Sequence, residues 1–117
     1  MIKFKSLNQS RQFLKILRKK RINTKYFTIY FEKNFSEENS NLNISFVIKK
    51  NIGNAVRRNK IRRKLRGAVQ KIIKEKRAID LSYTYVIFGR NNVYNDKSLL
   101  IVDEFDSVFK RIKQIDK

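Results

Sequence analysis

The chain has 117 residues, about the usual size of one domain, and 41% of them are apolar, which is enough for one core and excludes a disordered basic tail. It carries 29 Lys and Arg against 10 Asp and Glu, and this net charge of +19 favours a polyanionic partner, whether nucleic acid, an anionic membrane or an acidic protein. Cys and His are both absent, which excludes disulfides, thiolate or imidazole metal sites and every nucleophile–histidine pair.

No segment has the pattern of a secretory signal or a membrane span. The residues that follow 1–5 lack the apolar stretch of a signal peptide, and no run approaches the ~20 apolar residues that cross a bilayer. No repeat, low-complexity linker or change of composition divides the chain. We therefore expect a single cytoplasmic domain that covers residues 1–117.

The first half of the chain predicts a helix followed by two strands. Residues 8–20 have an apolar side and a basic side at helical spacing, with Asn8 or Ser10 as the candidate cap. Residues 25–32 (KYFTIYFE) and 44–49 (ISFVIK) alternate as strands do, on either side of a polar loop at 33–43. The pattern leaves room for a short extra strand at 22–24.

Alternation divides the side chains of the two predicted strands between two faces of a sheet. The set expected to face the core is Phe27, Ile29, Phe31, Ile44, Phe46 and Ile48. The set expected on the open face is Tyr26, Thr28, Tyr30, Ser45, Val47 and Lys49. The open face is therefore expected to combine aromatic, hydroxyl and basic groups.

The second half predicts a long basic helix at about 57–76, a strand at 83–89 (YTYVIFG) and a last helix at 97–115, with Asp96 as its candidate cap. The buried stripe of the last helix is expected to be Leu99, Val102, Phe105, Val108, Phe109 and Ile112. The order α-β-β-(β)-α-β-α predicts an α+β two-layer sandwich, in which helices cover one side of a single sheet.

The long helix separates its side chains by chemistry. At about 100° per residue, one stripe is apolar and must face the core: Ile61, Leu65, Ala68, Val69, Ile72 and Ile73. One flank carries Asn59, Arg62, Arg63 and Arg66, and the opposite flank carries Lys60, Lys64 and Lys71. Guanidinium groups bind phosphate bidentately, whereas ammonium groups act as mobile point charges. We expect the Arg/Asn flank to dock RNA and the Lys flank mainly to add attraction.

Two other interpretations of this helix are a solvated basic face and a helix on a membrane surface. A solvated face would normally carry acids near its cations, yet residues 44–74 contain no Asp or Glu. A membrane-surface helix would give its apolar stripe to the bilayer, but that stripe is needed for the core. Gly53, before the helix, either permits a positive φ at a turn or lets the backbone approach a phosphate.

Residues 50–66 (KNIGNAVRRNKIRRKLR) resemble the signature of the bacterial ribonuclease P protein family. In words, that signature is Lys-Lys-aliphatic-Gly-any-Ala-Val-any-Arg-Asn-Arg-any-Lys-Arg-any-any-Arg, and the resemblance extends over nearly the whole chain. Asn51, Lys60 and Arg62 depart from it, standing where the signature has Lys, Arg and Lys. Leu17 stands where the family often has an aromatic residue, and Gly67 where an acid is common.

The resemblance implies a part in tRNA processing. In this family the RNA subunit carries the Mg²⁺-dependent active site and removes the 5′ leader from precursor tRNA. The protein binds that RNA and holds the leader between its first helix and the open face of its sheet. It would thus be the non-catalytic part of an endonuclease, with Mg²⁺ bound mainly by RNA and no metal site or small-molecule cofactor of its own. A left-handed βαβ crossover around the signature helix is also implied.

Two sets of site residues follow from the helical flanks, the strand alternation and the resemblance together. The residues expected to bind the RNA subunit and the substrate are Lys50, Asn51, Arg57, Arg58, Asn59, Lys60, Arg62, Arg63 and Arg66. The residues expected to line the leader cleft are Phe13, Leu17, Tyr26, Thr28, Tyr30, Val47 and Lys49. Stacking on aromatic rings tolerates any base, at ~1–3 kcal/mol per base, which suits a leader of variable sequence.

Three other functions fit parts of the sequence. A ribosomal protein or general RNA chaperone would share the size and charge, but it does not predict an ordered Arg/Asn signature together with an aromatic groove. A DNA-binding regulator would need a recognition helix exposed to base edges, whereas this basic helix is pinned by its apolar stripe. A protein nuclease would need several carboxylates that converge in a cleft, and the 10 acids are scattered.

Overall fold

The computed structural model describes residues 3–6, 10–33, 41–75 and 79–115. In these residues the strands are β1 (Lys3–Lys5), β2 (Lys20–Asn23), β3 (Phe27–Lys33), β4 (Asn41–Val47) and β5 (Tyr83–Gly89). The helices are α1 (Ser10–Ile16), α2 (Ala55–Lys74) and α3 (Ser98–Ile115), with 3₁₀ turns at Lys50–Ile52 and Asn91–Val93. No helix in the described part of the chain is both long and apolar enough to cross a membrane.

The strands form one sheet in the order β1-β4-β5-β3-β2, so the last strand in sequence lies at the centre. β5 pairs in parallel with β4 and antiparallel with β3. Because α2 connects β4 to β5, these elements make the βαβ unit that the family resemblance implies. The left-handed sense of that crossover stays a prediction from the resemblance.

The main core lies between one side of the sheet and the two long helices, α2 and α3. Phe27 of β3 stacks on Phe105 of α3 with ring centroids 4.1 Å apart, and Tyr85 of β5 meets Phe109 edge-on at 5.3 Å. α2 contributes its predicted stripe, of which Ile73 is half-buried and the other members are buried. Each large side chain buried in this way stabilises the fold by ~1.5–3 kcal/mol.

Gly89, at the end of β5, allows α2 to lie close to the sheet. A Cβ atom at this position would lie 2.6 Å from Cδ1 of Ile48 and 2.7 Å from Cδ1 of Leu65. Since Cβ atoms do not approach other carbons so closely, any larger residue would push the helix or these side chains away. Gly89 therefore lets the side chains of Ile48 and Leu65 pack directly against the backbone of β5.

The structure confirms the α+β class and, apart from the unpredicted strand β1 at the start, the predicted order of elements, and it corrects several boundaries. The first helix ends at Ile16 instead of residue 20, because residues 20–23 pair with β3 as the short extra strand. Ser10 is the first residue of α1, not its cap, while Asn8 lies outside the described residues. Residues 34–40 of the predicted loop also lie outside them, and β4 begins at Asn41.

Two assignments at the start of α3 were wrong. The helix begins at Ser98, so Asp96 is not its cap residue, and the Asp96 carboxylate instead accepts a hydrogen bond from Tyr26. Leu99 was placed in the buried stripe but is 57% exposed, while Ile101 is buried in the core. The Leu99 error is one of helical phase, because at about 100° per residue Leu99 lies about 120° from Phe105 and Ile101 only about 40° from it.

Candidate nucleic-acid interface

The short helix α1 lies against the side of the sheet that α2 and α3 leave uncovered. Its Ile16 is only 1% exposed, and the ring of Phe13 meets Phe88 of β5 edge-on with centroids 6.3 Å apart. Phe88 belongs to this side, because it lies directly opposite Thr28 of β3 and Val47 of β4. We call the surface formed by Phe13, Thr28, Tyr30, Val47 and Phe88 the sheet cleft.

Aromatic rings and cations meet in the sheet cleft. Tyr30 approaches Phe88 edge-on at 5.6 Å, and Nζ of Lys49 lies 5.8 Å from the centre of the same ring. Both rings are half-buried, so part of each surface remains accessible. A cleft that offers ring surface beside a flexible cation can bind single-stranded nucleic acid without reading its sequence.

Arg90, which follows β5, supplies a second cation at the edge of the cleft. Its Nη2 donates to Oγ1 of Thr28 at 3.3 Å, and the Thr28 hydroxyl donates to Oδ1 of Asn23 at 2.8 Å. Thr28 is half-buried and Arg90 is exposed. The hydroxyl predicted for the open face therefore orients a guanidinium that can meet a phosphate.

Glu32 of β3 partly neutralises the basic end of the cleft near α1. Its Oε1 lies 3.9 Å from Nζ of Lys15 and 3.8 Å from Nζ of Lys19. Both lysines are about half exposed, and such pairs contribute little to stability. Leu17, predicted for the cleft, is half-buried in the turn after α1.

Tyr26 does not line the cleft, which corrects the prediction. It is 4% exposed as part of the main core, and its hydroxyl donates to Oδ2 of Asp96 at 2.7 Å. This hydrogen bond raises the pKa of Tyr26 to about 12. Alternation failed because Tyr26 precedes β3, in a turn where Oγ1 of Thr24 accepts from the N–H groups of Tyr26 and Phe27 at 3.2 and 3.1 Å.

The signature segment enters α2 through a turn that requires glycine. Gly53 has φ 157° and ψ −171°, and a Cβ there would lie 2.5 Å from Cδ of Arg57. Its carbonyl accepts from Nε of Arg58 at 3.1 Å, and Asn54 caps the helix by accepting from the N–H of Arg57 at 2.9 Å. Of the two interpretations of Gly53, the structure supports the turn. Lys50 and Asn51, just before it, are exposed.

Three cations of α2 contact the loop between β5 and α3, and so fix that loop against the helix. The Arg57 guanidinium lies 4.0 Å from the centre of the Tyr94 ring and donates to Oδ1 of Asn91 through Nε at 3.0 Å and Nη2 at 2.6 Å. Nζ of Lys60 lies 4.3 Å from the same ring, and Lys64 donates to the Tyr94 and Asp96 carbonyls. We call these contacts the loop clamp. Arg57 and Lys60, predicted to bind RNA, thus have structural partners within the chain.

Asn59, Arg62 and Arg66 form an arginine flank along α2. Nη1 of Arg62 donates to Oδ1 of Asn59 at 2.7 Å, which fixes both side chains. The Arg66 guanidinium lies 4.9 Å from the ring centre of Phe4, which stacks with Phe46 at 6.5 Å. Asn59 and Arg66 are exposed and Arg62 is half-buried. The flank presents guanidinium groups that are held in place before any ligand binds.

Arg63 was expected on the same flank but lies elsewhere. It lines a groove between α2 and α3 together with Lys60, Lys64 and Lys71. On the helical wheel Arg63 sits at the boundary between the two flanks, so a rule that separates Arg from Lys could not place it.

Two residues that sequence analysis missed complete these surfaces. Phe88 forms the floor of the sheet cleft, and alternation in residues 83–89 could have found it, since it puts Thr84, Val86 and Phe88 opposite the core-facing set. Tyr94 anchors the loop clamp, and nothing in the sequence around it indicates that role. Arg57 and Asn91 are 34 positions apart, and a local sequence pattern cannot predict a hydrogen bond between residues so far apart in the chain.

The described residues do not form a carboxylate site for a metal ion. No group of three His, Cys, Asp or Glu side chains among them lies close enough together to hold one. Glu32 and Asp106 are also engaged by lysines, at 3.8 and 3.1 Å. The donor groups described here therefore do not fit a Mg²⁺ cage, and we derive no catalytic step through a protein-bound metal.

A sequence model of the family described as Ribonuclease P matches residues 1–113. The chain belongs to the ribonuclease P protein family. A ribonuclease P protein component from Carboxydothermus hydrogenoformans is 30% identical over 115 residues, which cover 97% of this chain and 96% of that protein. The chain is accordingly a protein subunit of ribonuclease P, and the ribosomal or chaperone alternative is not favoured.

Solved ribonuclease P proteins share the fold. That of Thermotoga maritima has a TM-score of 0.75 at 23% identity and covers 92% of this chain and 96% of its own. A Staphylococcus aureus ribonuclease P protein mutant with defective mRNA degradation activity has a TM-score of 0.72 at 25% identity and covers 92% and 87%. The expectation of a ribonuclease P protein-like α+β fold is confirmed.

Proposed function

We propose that this subunit binds the catalytic RNA of ribonuclease P through the arginine flank and holds the 5′ leader of precursor tRNA in the sheet cleft. The observation that carries the leader assignment is the row of rings Phe13, Phe88 and Tyr30 on an uncovered sheet face, with Lys49 beside it. Aromatic rings can stack on unpaired bases of any sequence, and the cations can bind the phosphates between those bases.

The arginine flank supports the assignment to the RNA subunit. A folded RNA presents rigid phosphates, and guanidinium groups that are already oriented lose little entropy on binding them. Asn59, an amide among cations, can accept or donate to a base edge or a ribose hydroxyl. In this proposal Lys50 and Asn51, exposed in the 3₁₀ turn before α2, and Arg58, half-buried near the start of α2, also bind the RNA.

In this proposal the protein contributes binding and not bond cleavage. The RNA and the Mg²⁺ it binds would hydrolyse the phosphodiester at the mature 5′ end of the tRNA. The protein would fix the leader on one side of the cleavage site, which lowers the entropy that the substrate must lose. We place this activity in the cytoplasm, as the sequence led us to expect.

The test is cleavage of a precursor tRNA by a bacterial ribonuclease P RNA at low Mg²⁺, with and without the protein. We expect the protein to restore cleavage at the mature 5′ end, because added cations lessen the repulsion between enzyme RNA and substrate. If the protein binds the RNA but leaves cleavage unchanged, the proposal fails and a general RNA chaperone becomes the better explanation.

A further inference from the structure

A basic groove of about 520 Å³ lies between α2 and α3, on the opposite side of the sheet from the cleft. Its walls come from both helices, and the residues that line it are Lys60, Arg63, Lys64, Gly67, Ala68, Lys71, Ser98, Leu99 and Val102. Lys60 and Lys64 also belong to the loop clamp, whereas Arg63 and Lys71 do not, and no member of the arginine flank lines the groove. The α2–α3 groove is therefore a separate surface.

The groove concentrates positive charge, and Asp96, the acid that acts on Lys64, is not among the residues that line it. Four of its lining side chains are cations, and among the described residues that line it none is acidic. Partial burial of Lys64 lowers its pKa and the neighbouring charge of Lys60 lowers it further, while the Asp96 carboxylate opposes part of this shift. Cations held this close repel one another, so an anion between them would be bound with a gain in electrostatic energy.

The shape of the groove admits a ligand to the helix surface. Gly67 is exposed on α2, and apart from its chain neighbours and the nearby helix backbone no described atom lies within 4 Å of the place where a Cβ would stand. Glycine is among the least favourable residues in a helix interior. Helix stability and packing therefore do not explain why glycine stands at this exposed position, where a larger residue would fit. On the facing wall, α3 begins at Ser98 without an acid in its first turn, so its N-terminal N–H groups add partial positive charge.

We propose that the α2–α3 groove binds backbone phosphates of the ribonuclease P RNA, as a docking surface separate from the arginine flank and the sheet cleft. The groove favours backbone over bases because, among its described lining residues, none is aromatic and Leu99 and Val102 offer only an aliphatic wall to a ribose. The identity of the RNA rests on the proposed function. The protein would then bind its RNA through both flanks of α2, the arginine flank on one side and the α2–α3 groove on the other.

Gly67 provides the sharpest test, because a side chain can be added there without a clash. Gly67→Glu and Gly67→Gln put nearly the same volume into the groove, and both favour the helix. The glutamate alone adds a negative charge among the cations. We expect Gly67→Glu to bind a bacterial ribonuclease P RNA about tenfold more weakly than Gly67→Gln in filter binding, with a salt slope lower by about one. Equal affinities and slopes of the two variants would overturn the proposal.

A charge-removal pair supplies a second measurement. Lys71→Gln removes a cation from the groove, and Lys113→Gln removes one from the exposed end of α3, away from it. We expect the first to weaken RNA binding several-fold and the second to change it little. The same small loss from both would show only a general charge effect and would count against the groove. If the unaltered protein binds this RNA no better than duplex DNA, the proposed function itself has failed. That measurement is made before the variants, so the two failures can be distinguished.

Discussion

Two tyrosines four positions apart, Tyr26 and Tyr30, have opposite environments. Tyr30 stands in the sheet cleft, where its ring meets Phe88 at 5.6 Å and remains partly accessible. Tyr26 lies in the main core with its hydroxyl on Asp96. The two residues therefore form a natural pair of variants, in which one change removes a binding surface and the other removes an internal contact.

Tyr30→Ala should weaken binding of precursor tRNA by the holoenzyme roughly five- to a hundredfold, which corresponds to the ~1–3 kcal/mol of one stacked base. Binding of mature tRNA, which has no leader, should stay the same. Tyr26→Phe is the control and should leave both affinities unchanged. If Tyr30→Ala lost the same affinity for precursor and mature tRNA, the placement of the leader in this cleft would be wrong. Equilibrium binding of the two labelled tRNAs measures this difference.

The hydrogen bond from Tyr26 to Asp96 should make stability depend on alkaline pH. The contact raises the pKa of Tyr26 from 10.0 to about 12, so the folded protein keeps the phenol proton at pH values where the unfolded chain loses it. The stabilisation is then fully present below about pH 10 and is lost as the pH rises towards 12. In urea unfolding at about pH 8, the wild type should have a higher free energy of unfolding than Tyr26→Phe. The difference between the two proteins should shrink as the pH rises through this alkaline range. A gap that stays constant would contradict the assigned contact.

Sequence reasoning at this scale succeeded where a strand ran without interruption and failed at its ends. Alternation placed Thr28 and Tyr30 on one face and Phe27, Ile29 and Phe31 on the other, as the structure confirms. Tyr26 broke the rule because the Thr24 turn rotates it back towards the core. A turn set by one hydroxyl is not visible in a period-two pattern.

At the scale of elements, α2 carries distinct surfaces on one helix. Its apolar stripe packs on the sheet, Arg57, Lys60 and Lys64 hold the loop before α3, and the arginine flank faces outwards. A helix that is fixed on its inner face and at its start presents its remaining cations as a rigid array. The rigid array lowers the entropy lost on binding a folded RNA.

Arg62→Ala and Arg66→Ala should each weaken assembly with the ribonuclease P RNA and lower the salt slope by about one, as for a lost phosphate contact. Arg111→Ala removes the same charge from an exposed position on α3 and should have a much smaller effect. Titration of labelled RNA at several salt concentrations measures affinity and slope together. Unchanged affinity in both α2 variants would exclude the arginine flank as the docking surface.

The loop clamp predicts a measurable coupling between Arg57 and Tyr94. Tyr94→Leu removes the ring that lies 4.0 Å from the guanidinium, and it should lower the free energy of unfolding by about 1–2 kcal/mol. With Arg57→Gln as the second change, a double-mutant cycle should give a coupling of about 0.5–1 kcal/mol. Additive losses, measured by urea unfolding, would mean that the ring and the guanidinium do not interact.

Element prediction was limited by length and by pairing partners. α2 and α3 are long enough for their period to identify them, although α2 runs over Ala55–Lys74 instead of about 57–76 and positions at the start of α3 were misplaced. β1 was not predicted, because three residues show no period, and it exists only through its parallel pairing with β4. The end of α1 was set by the pairing of β2 with β3, which no local pattern contains.

At the scale of the whole molecule, a net charge of +19 is spread over surfaces that point in different directions. The sheet cleft, the arginine flank and the α2–α3 groove each gather cations, and few acids separate them. Composition alone predicted a polyanionic partner, but it could not predict that the charge would divide between two sides of a sheet. That division follows from strand order and helix packing.

Self-repulsion of this charge should make the free protein more stable when salt is added. Screening shortens the range of the repulsion to ~10 Å at 0.1 M salt, and the folded state gains more from this than the expanded unfolded chain. We expect the melting temperature to rise between about 0.05 and 0.5 M NaCl. A melting temperature that falls over this range would contradict the importance of repulsion.

The central place of β5 has a consequence for how the protein is made. β4 and β1 lie on one side of it and β3 and β2 on the other, and these two halves are joined in the sheet through β5. During translation the ribosome releases both halves, and the whole basic helix, before residue 89 emerges to unite them. Phe88 belongs to that same strand, so a nascent chain has neither a complete sheet nor a floor for its cleft until just over three-quarters of it has been synthesised. A chain that has not yet reached Phe88 therefore cannot present the cleft to RNA.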